Sequence, residues 1–443
     1  MNRRPLMPRV KALVVFCLTQ LVVVSVDFTL RRIVVPLGRL LTRSRLNRGA
    51  PRSLWGVTPI LTLPLKARAD GLLGFESRTV VSTTYYISNR FDVVLESWFT
   101  WLNKHAIGMI HPFERLLLAI VIWRYDVVHL FYDRGFFSPV TPWGIVPDEL
   151  ALLRAAGKRV YLYAYGADVR RRQPTLQLGK WNFCRDCPRP GDYCACSDDN
   201  AALVAGMSSQ ATAAIALGDM LAYVPNVRNL HYWPIDIASL PSPDPSQSEG
   251  PLRIAHAPNH MHFKGSQYLE ATIQKLRAEG HPIEYTKVQG VPNTEVIRLF
   301  SEADLVADQF IGGIYGYTAL EAMACGRPVL TYVRSPDFVE AIDECPMINT
   351  TPDTLEEVLL WCLSNRQRLV SIGAQGAAYV RRWHSIEAVA ERLGRLYEET
   401  ADFPAASLIK IRLQRQQEAA RRASEHQAGD WKHPWQIGSE AVA

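Results

Sequence analysis

The sequence predicts an α/β protein built from two doubly wound parallel sheets that face each other across a cleft. Three observations lead to this prediction. Buried-type strands alternate with helical segments over residues 76–236, the alternation resumes over 252–400, and a segment rich in proline and serine separates the two at 237–251. Such alternation is typical of parallel sheets covered by helices on both faces. The length of 443 residues allows two such domains with an extension at each end.

The first domain is defined by short apolar runs separated by helical patterns. We predict strands at 79–85, 125–131 and 158–165, with helices at 112–123 and 148–156. Ligands of such sheets bind at the carboxyl ends of the strands. The segment that follows the third strand, Tyr165 to Arg170, therefore lies where a ligand is expected.

The second domain repeats the pattern with clearer boundaries. Its predicted strands are 252–257, 283–288, 305–308 and 329–333. Its predicted helices are 267–279, 294–302, 318–325, 355–364, 367–382 and 386–399. The polar and basic residues 401–443 are predicted to form a tail.

The first 75 residues have the charge pattern of a basic arm. Residues 1–68 carry thirteen lysines and arginines against one acid, Asp27, although the whole chain has a formal charge of only +6. This asymmetry argues against a nucleic-acid binder and favours a contact with an anionic membrane. The apolar run 12–26 is short for a full span, so an incomplete span or an interfacial helix fits better. A cleaved signal peptide and a buried N-terminal element are the alternatives.

The segment from Gly312 to Val333 has the features of a ligand cradle. Glycines are followed by a helix that carries one carboxylate, Glu321, and then by Gly326, Pro328 and a strand. Glycines allow the backbone to approach a phosphate, and a helix N-terminus favours an anion. A carboxylate one turn inside the helix can accept two hydrogen bonds from a ribose diol. An ordinary helix-to-strand junction is the alternative.

Four cysteines lie within thirteen residues of a predicted loop: Cys184, Cys187, Cys194 and Cys196. Four thiolates suit a structural zinc ion. An iron–sulfur cluster, reversible disulfides and free thiols are the other interpretations.

Beyond these patterns, the chain resembles the retaining GT-B glycosyltransferases of the large family-four type. The resemblance is most specific from Asp304 to Gln309 and from Glu321 to Val329. It extends to three shorter segments: 256–258 leading to 264–266, 165–170, and 233–236. It is absent before about residue 75 and after about residue 405.

The resemblance implies a role for each matching residue. Lys264, with Gly265 after it, would contact the donor diphosphate, Glu321 would bind the donor ribose, and Asp168 would lie on the acceptor side. An Asp168 that merely caps a turn is equally compatible with the sequence. The phosphate would be cradled by the backbone of a loop that includes Gly312, Gly313, Tyr315, Gly316, Tyr317 and Thr318. No catalytic metal is expected, because the lysine and the helix dipole replace it.

Two positions depart from the family pattern. The family's first glutamate corresponds to Gly313, and an arginine upstream of the lysine corresponds to Asn259. Asp308, His260 and His262 are the candidates to replace these lost contacts.

The sequence therefore predicts a glycosyltransferase on the cytoplasmic face of a membrane. It would move a sugar from a nucleotide-diphosphate sugar to a lipid-linked or polysaccharide acceptor in cell-envelope or surface glycan synthesis. Two alternatives share the architecture: a nucleotide-sugar epimerase, and a degenerate GT-B scaffold that binds a partner.

Overall fold

A computed structural model describes residues 19–48, 51–85, 90–138, 143–244, 246 and 249–401. Two parallel sheets, one in each predicted half, form its framework. The predicted GT-B arrangement of two Rossmann-like domains is confirmed. The predicted tail beyond residue 401 and the first part of the apolar run 12–26 lie outside the described residues.

The N-terminal sheet has seven parallel strands in the order β3-β2-β1-β4-β5-β6-β7. The strands are β1 (Arg52–Val57), β2 (Glu76–Val81), β3 (Val93–Val94), β4 (Val127–Phe131), β5 (Arg159–Tyr163), β6 (Ala213–Ala216) and β7 (Val227–Asn229). Every residue of β4 is buried, as expected for a central parallel strand covered on both faces.

The C-terminal sheet has five parallel strands in the order β12-β11-β10-β8-β9. The strands are β8 (Leu252–His256), β9 (Ile283–Lys287), β10 (Leu305–Ala307), β11 (Val329–Thr331) and β12 (Ile348–Asn349). The four strands predicted for this half are β8 to β11, with ends shifted by at most two residues. The two-residue strand β12 is too short to leave a periodic signal.

Helices cover both sheets. In the N-terminal half the α-helices are Val35–Asn47, Leu63–Leu72, Glu96–His105, Ile110–Arg124, Pro147–Ala155, Arg172–Leu176 and Asn200–Gln210. In the C-terminal half they are Met261–Lys264, Ser266–Ala278, Asn293–Glu302, Tyr317–Ala324, Leu355–Ser364, Arg366–Trp383 and Ile386–Ala401.

The prediction that the arm extends to residue 75 is wrong for residues 52–75. Strand β1 lies in the middle of the N-terminal sheet, paired with β2 on one side and β4 on the other. The charges of Arg52, Lys66 and Arg68 hide this strand-helix unit in the sequence. Lys66 is nevertheless fully buried, with its ammonium 4.5 Å from the centre of the Tyr232 ring.

The arm itself is helical from Thr19 to Asn47, with a π-helical turn at Leu30–Val34. This turn precedes Pro36, which has no N–H to donate into a regular helix. Gly38 allows the helix to pack closely on Ile122, because a Cβ there would lie 2.4 Å from the isoleucine side chain. No helix among the described residues is long and apolar enough to cross a bilayer.

The two halves contact each other through their last helix and through the segment between them. Helix Ile386–Ala401 returns to the N-terminal half, where the Tyr397 hydroxyl donates to Asp70 at 2.7 Å. The Tyr317 hydroxyl, at the start of the predicted donor helix, donates to the carbonyl of Pro234 at 2.8 Å. The carboxyl ends of the strands of the two sheets therefore lie on either side of one cleft.

Candidate active site

The predicted glycine loop lies at the carboxyl ends of β10 and β11, between β10 and helix Tyr317–Ala324. Gly316 is the N-cap of that helix and has extended backbone angles. The first amides of the helix have no partner within it, as at any helix N-terminus. These donors face the region where the predicted lysine ends its own short helix.

Lys264 and Asp308 form an ion pair at the loop. The Lys264 ammonium donates to the Asp308 carboxylate at 2.7 Å, and the two side chains are 16% and 0% exposed. The amide of Gly316 donates to the other Asp308 oxygen at 2.5 Å. A Cβ on Gly316 would lie 2.8 Å from both the ammonium and the carboxylate, so glycine is required here. Asp308 thus holds the cation and the amide that a donor phosphate would need.

Glu321 is buried in the helix that follows the loop. Its carboxylate accepts a hydrogen bond from the Asn293 amide at 2.8 Å. Burial raises the pKa of Glu321 to about 7, while the Asn293 bond lowers it and the charge of Asp308 raises it. The other oxygen of this carboxylate has no hydrogen-bond partner among the described residues. The group can therefore bind a diol.

Gly313 and Arg334 explain the first departure from the family pattern. Gly313 has a left-handed backbone (φ +76°), and a Cβ there would lie 2.4 Å from the Arg334 guanidinium. Arg334 donates from Nη2 to the carbonyl of Trp181 at 2.9 Å. Its Nε and Nη1 atoms are buried with no partner among the described residues. A guanidinium with unused donors therefore occupies the place where the family carries a glutamate.

A second arginine reaches the loop from the N-terminal half. Arg170 is buried over the ring of Phe183, with 4.2 Å between the guanidinium carbon and the ring centre. A Cβ on Gly312 would lie 2.3 Å from Phe183, so this glycine provides the room for the ring. Arg170 also has a carboxylate neighbour: Asp219 lies 3.9 Å from Arg170 Nε. Burial raises the pKa of Asp219, and the charges of Arg170 and Arg334 lower it.

Asp168 is placed as a turn anchor. Its carboxylate accepts backbone hydrogen bonds from Tyr132, Tyr165 and Gly166 at 3.3, 3.1 and 2.9 Å. Burial and, second, the charge of Asp133 raise the pKa of Asp168 to about 8. The side chain is 1% exposed. The turn-capping interpretation fits this geometry, and we assign Asp168 no step in sugar transfer.

Two tyrosines predicted at the cradle are turned into the protein. The Tyr315 ring is 1% exposed and lies against Trp233 and His384, with centroids 5.9 and 6.3 Å away. Tyr317 bonds the interdomain segment, as described above. These side chains fix the loop in place, so at 315 and 317 the loop offers a phosphate only backbone groups.

The histidines near Lys264 have structural contacts. His256 is bonded to the Ala307 carbonyl at 2.8 Å through Nδ1 and to the Ser266 hydroxyl at 2.7 Å through Nε2. Burial lowers the pKa of His256 to about 4, so the ring is neutral and ties β8 to β10. His260 and His262 pack around the Tyr193 ring, with centroids 5.1 and 4.8 Å away. Burial lowers the pKa of both, so neither supplies the cation missing at Asn259.

The cysteine loop bridges the two halves without forming a metal centre. The Tyr268 hydroxyl donates to Asp186 at 2.7 Å across the interface. Cys184, Cys187, Cys194 and Cys196 are free thiols. Within the part of the chain that the structure describes, no group of three or more His, Cys, Asp or Glu side chains could hold a metal ion. The arrangement therefore does not fit the structural zinc that the cysteine spacing suggested.

The structure brings together Lys264, Glu321 and the glycine loop, the residues that the sequence predicts for the site. Sequence analysis does not predict Arg334, Asn293, Phe183 or Arg170 as part of it. Arg334 follows the carboxyl end of β11, where ligand contacts in such sheets are expected. That position was the available signal. Phe183 and Asn293 approach the loop from elements distant in sequence, and no local pattern marks them.

No protein-family model and no curated protein matches the chain. Solved structures do resemble it. Anabaena HepE in complex with UDP-glucose is 10% identical with a TM-score of 0.48, over 78% of this chain and 99% of that one. The catalytic domain of Arabidopsis thaliana starch synthase IV, bound to ADP and acarbose, is 10% identical with a TM-score of 0.48, over 79% and 99%.

A third similar structure has a different activity. The UDP-GlcNAc 2-epimerase from Neisseria meningitidis, bound to UDP-GlcNAc, is 10% identical with a TM-score of 0.42, over 79% of this chain and 100% of that one. At these values the likeness is one of overall arrangement only.

Proposed function

We propose that the protein is a glycosyltransferase that uses a nucleotide-diphosphate sugar as donor. One observation carries the proposal: Lys264, the free donors of Arg334 and the buried carboxylate of Glu321 surround one glycine loop at a helix N-terminus. This set combines cations and amides for a diphosphate with an acceptor for a ribose diol. Lysine and arginine neutralise the diphosphate, so the proposed reaction needs no catalytic metal.

In the proposed reaction, the donor diphosphate replaces Asp308 as the partner of Lys264. The bond between the anomeric carbon and the diphosphate oxygen breaks, and the acceptor oxygen forms the new bond to that carbon. The acceptor proton goes to the leaving diphosphate. Fixed cations beside the leaving group stabilise the charge that develops on it. Retention of configuration is proposed from the family resemblance.

We further propose that the protein acts on the cytoplasmic face of a membrane, with a lipid-linked acceptor. Of eighteen large apolar side chains exposed among the described residues, fourteen lie on two stretches that pack together. They are Leu21, Val22, Val24, Phe28, Ile33, Leu37 and Leu40, then Trp98, Trp101, Ile107, Met109, Leu116, Ile120 and Trp123. Exposed patches of this kind, with tryptophans and nearby basic residues, are typical of interfacial binding. The exposed lysines and arginines on or beside these stretches include Arg31, Arg32, Arg39, Arg43, Lys104 and Arg124.

Calorimetry with UDP, ADP, GDP and their sugar conjugates tests the donor site. We expect saturable binding to one nucleotide, weakened at least about 30-fold by Lys264→Ala or Glu321→Ala, since each removes a charged contact. Lys275→Ala is the matched control, because Lys275 pairs with Glu356 on the exposed surface. If the protein is folded and binds none of these nucleotides, only the scaffold interpretation remains.

Product analysis separates the remaining alternatives. Transfer of sugar to an added membrane extract, or hydrolysis of the donor without acceptor, supports the transferase. Inversion of one sugar carbon with the donor diphosphate bond intact supports the epimerase.

A further inference from the structure

A cavity lies at the carboxyl ends of β1, β2 and β4, on the cleft side of the N-terminal sheet. Its volume is about 340 Å³, within the range of small-molecule sites. Val57, Leu95, Phe99 and Phe137 contribute its apolar wall. Ser82, Glu114, Asp133 and Arg134 contribute its polar part. The cavity is thus lined by both apolar and polar side chains.

Two helices that carry exposed tryptophans contribute residues to the cavity lining. In helix Glu96–His105, Phe99 lines the cavity, while Trp98 and Trp101 are 60% and 59% exposed. In helix Ile110–Arg124, Glu114 lines it and Leu116 is exposed. One layer of helices therefore separates the cavity from the apolar surface.

These helices form a unit with the N-terminal helix. Arg115 Nε donates to Asp27 at 3.1 Å, and the Arg115 guanidinium lies 5.1 Å from the ring centre of Phe137. A Cβ on Gly108 would lie 3.1 Å from the Thr19 side chain. The cavity wall and the exposed apolar stretches are consequently parts of one packed structure.

Arg134 gives the polar part its chemistry. Its Nε donates to Asp133 at 2.9 Å and its Nη1 to the Ser82 hydroxyl at 3.1 Å. The side chain is 37% exposed. The remaining face of the guanidinium is suited to a phosphate or a hydroxyl oxygen, which it binds in a fixed geometry. Asp133 is held on its other oxygen by the Thr58 hydroxyl at 2.5 Å, so the arginine is anchored.

We infer that this cavity is the acceptor site and that it takes the phosphate- and hydroxyl-bearing head of a membrane lipid. The head group binds Arg134 and Ser82, and the first part of the apolar chain follows Leu95 and Phe99 toward the membrane. This inference rests on the proposed transferase function and selects a lipid over a soluble polysaccharide as its acceptor.

A series of neighbouring residues leads from the cavity toward the donor loop. The amide of Tyr132, next to Asp133, donates to Asp168 at 3.3 Å, and the amide of Gly166 donates to the same carboxylate at 2.9 Å. A Cβ on Gly166 would lie 3.1 Å from the Arg170 guanidinium, which stacks on Phe183 beside the glycine loop. A head group at Arg134 would therefore lie at the same end of the sheet as Gly166 and Arg170.

Photo-crosslinking tests the occupant without requiring turnover. The full chain is mixed with vesicles of phosphatidylcholine and phosphatidylglycerol that carry a diazirine near the head of one acyl chain, and labelled residues are mapped. We expect label at Phe99 and at Phe136 or Phe137, reduced at least fivefold by Phe99→Trp, which fills the cavity. Glycerol 3-phosphate in excess tests whether the free head group competes. Label only at Trp98 and Trp101 would mean surface binding alone and would overturn the inference.

Three variants separate this inference from the donor site and from membrane binding. Trp98→Ala with Trp101→Ala should lower vesicle binding at least tenfold, whereas Leu72→Ala, at an exposed apolar residue outside the two stretches, should not change it. Arg134→Gln should lower sugar transfer into extractable lipid at least tenfold with nucleotide and vesicle binding unchanged. Unchanged transfer in Arg134→Gln overturns the acceptor site. Crosslinking in the cavity without nucleotide binding instead overturns the proposed transferase and leaves a lipid-binding site.

Discussion

The two halves of the molecule differ in how much apolar surface they expose and in how their lysines are paired. All eighteen exposed large apolar side chains among the described residues lie at or before Leu176, so the C-terminal half contributes none. Two lysines also differ in their pairing. The partly exposed Lys264 in the C-terminal half is paired with Asp308 at 2.7 Å, whereas the fully buried Lys66 ammonium in the N-terminal half has no hydrogen-bond partner among the described residues.

This difference is the one that the proposed function requires of the two halves. A half that binds a nucleotide sugar from solution needs a polar exterior and paired charges that a diphosphate can exchange. A half that binds a membrane needs exposed apolar surface. Its stability then depends on its core, which here accommodates an ammonium without a hydrogen-bond partner. Each prediction below tests one side of this contrast.

Arg334→Leu tests the donor half most strongly. We expect the affinity for nucleoside diphosphate to fall by roughly 30- to 150-fold, equivalent to about 2–3 kcal/mol, because the diphosphate loses two guanidinium donors. Isothermal calorimetry measures the change. Vesicle binding by the same variant should be unaffected.

The control for that variant is Arg298→Leu, since Arg298 is exposed and pairs only with Glu295 and Glu302 on its own helix. It should bind nucleotide like the wild type. A normal affinity in Arg334→Leu would show that Lys264 and the loop amides suffice, and that the Gly313 and Arg334 pair has another purpose.

Lys66→Met tests the core of the N-terminal half. Burial lowers the pKa of Lys66 to about 7, so folding costs free energy wherever the unfolded chain would hold the proton. We expect the variant to be more stable by about 2 kcal/mol at pH 7. Since the unfolded lysine titrates near pH 10.4, the advantage of the variant should shrink as the pH rises from about 7 to that value.

Urea unfolding at pH 7 and at pH 10 measures this difference. Lys275→Met, at an exposed and paired lysine, should change neither value appreciably. If Lys66→Met is destabilising at pH 7, the rings of Trp55, Phe131 and Tyr232 around the ammonium stabilise its charge more than burial opposes it.

The donor half was the more predictable from the sequence, for a physical reason. Its loop, helix and strand are consecutive, so glycine spacing and the position of Glu321 carry the geometry. In the N-terminal half, strand β1 could not be predicted from the sequence. The helix that follows it contains Lys66, whose charge is typical of the basic arm. Gly313 departs from the family pattern, which the sequence alone reveals. Its contact with Arg334 joins residues twenty-one positions apart, and no local pattern predicts it.

The smallest effect we predict concerns the protonation of Glu321. A ribose diol donates hydrogen bonds to a carboxylate, and burial raises the pKa of Glu321 to about 7 in the free protein. Nucleotide binding therefore favours the ionised form, and affinity should rise by up to about tenfold as the pH increases from 6 to 8. The same shift makes the ionised group unfavourable for folding, so its contribution to stability should fall as the pH rises from about 4.5 to 7.

Glu321→Gln removes both dependences, while its amide still reaches the diol and Asn293 keeps a neutral partner. Calorimetry at several pH values should therefore give the variant a flatter affinity profile than the wild type. Glu340→Gln, at a partly exposed carboxylate paired with His231, is the matched control. A wild-type affinity that does not change between pH 6 and 8 would mean that the diol is held elsewhere, and the C-terminal half would then lack the feature that most distinguishes it from the N-terminal half.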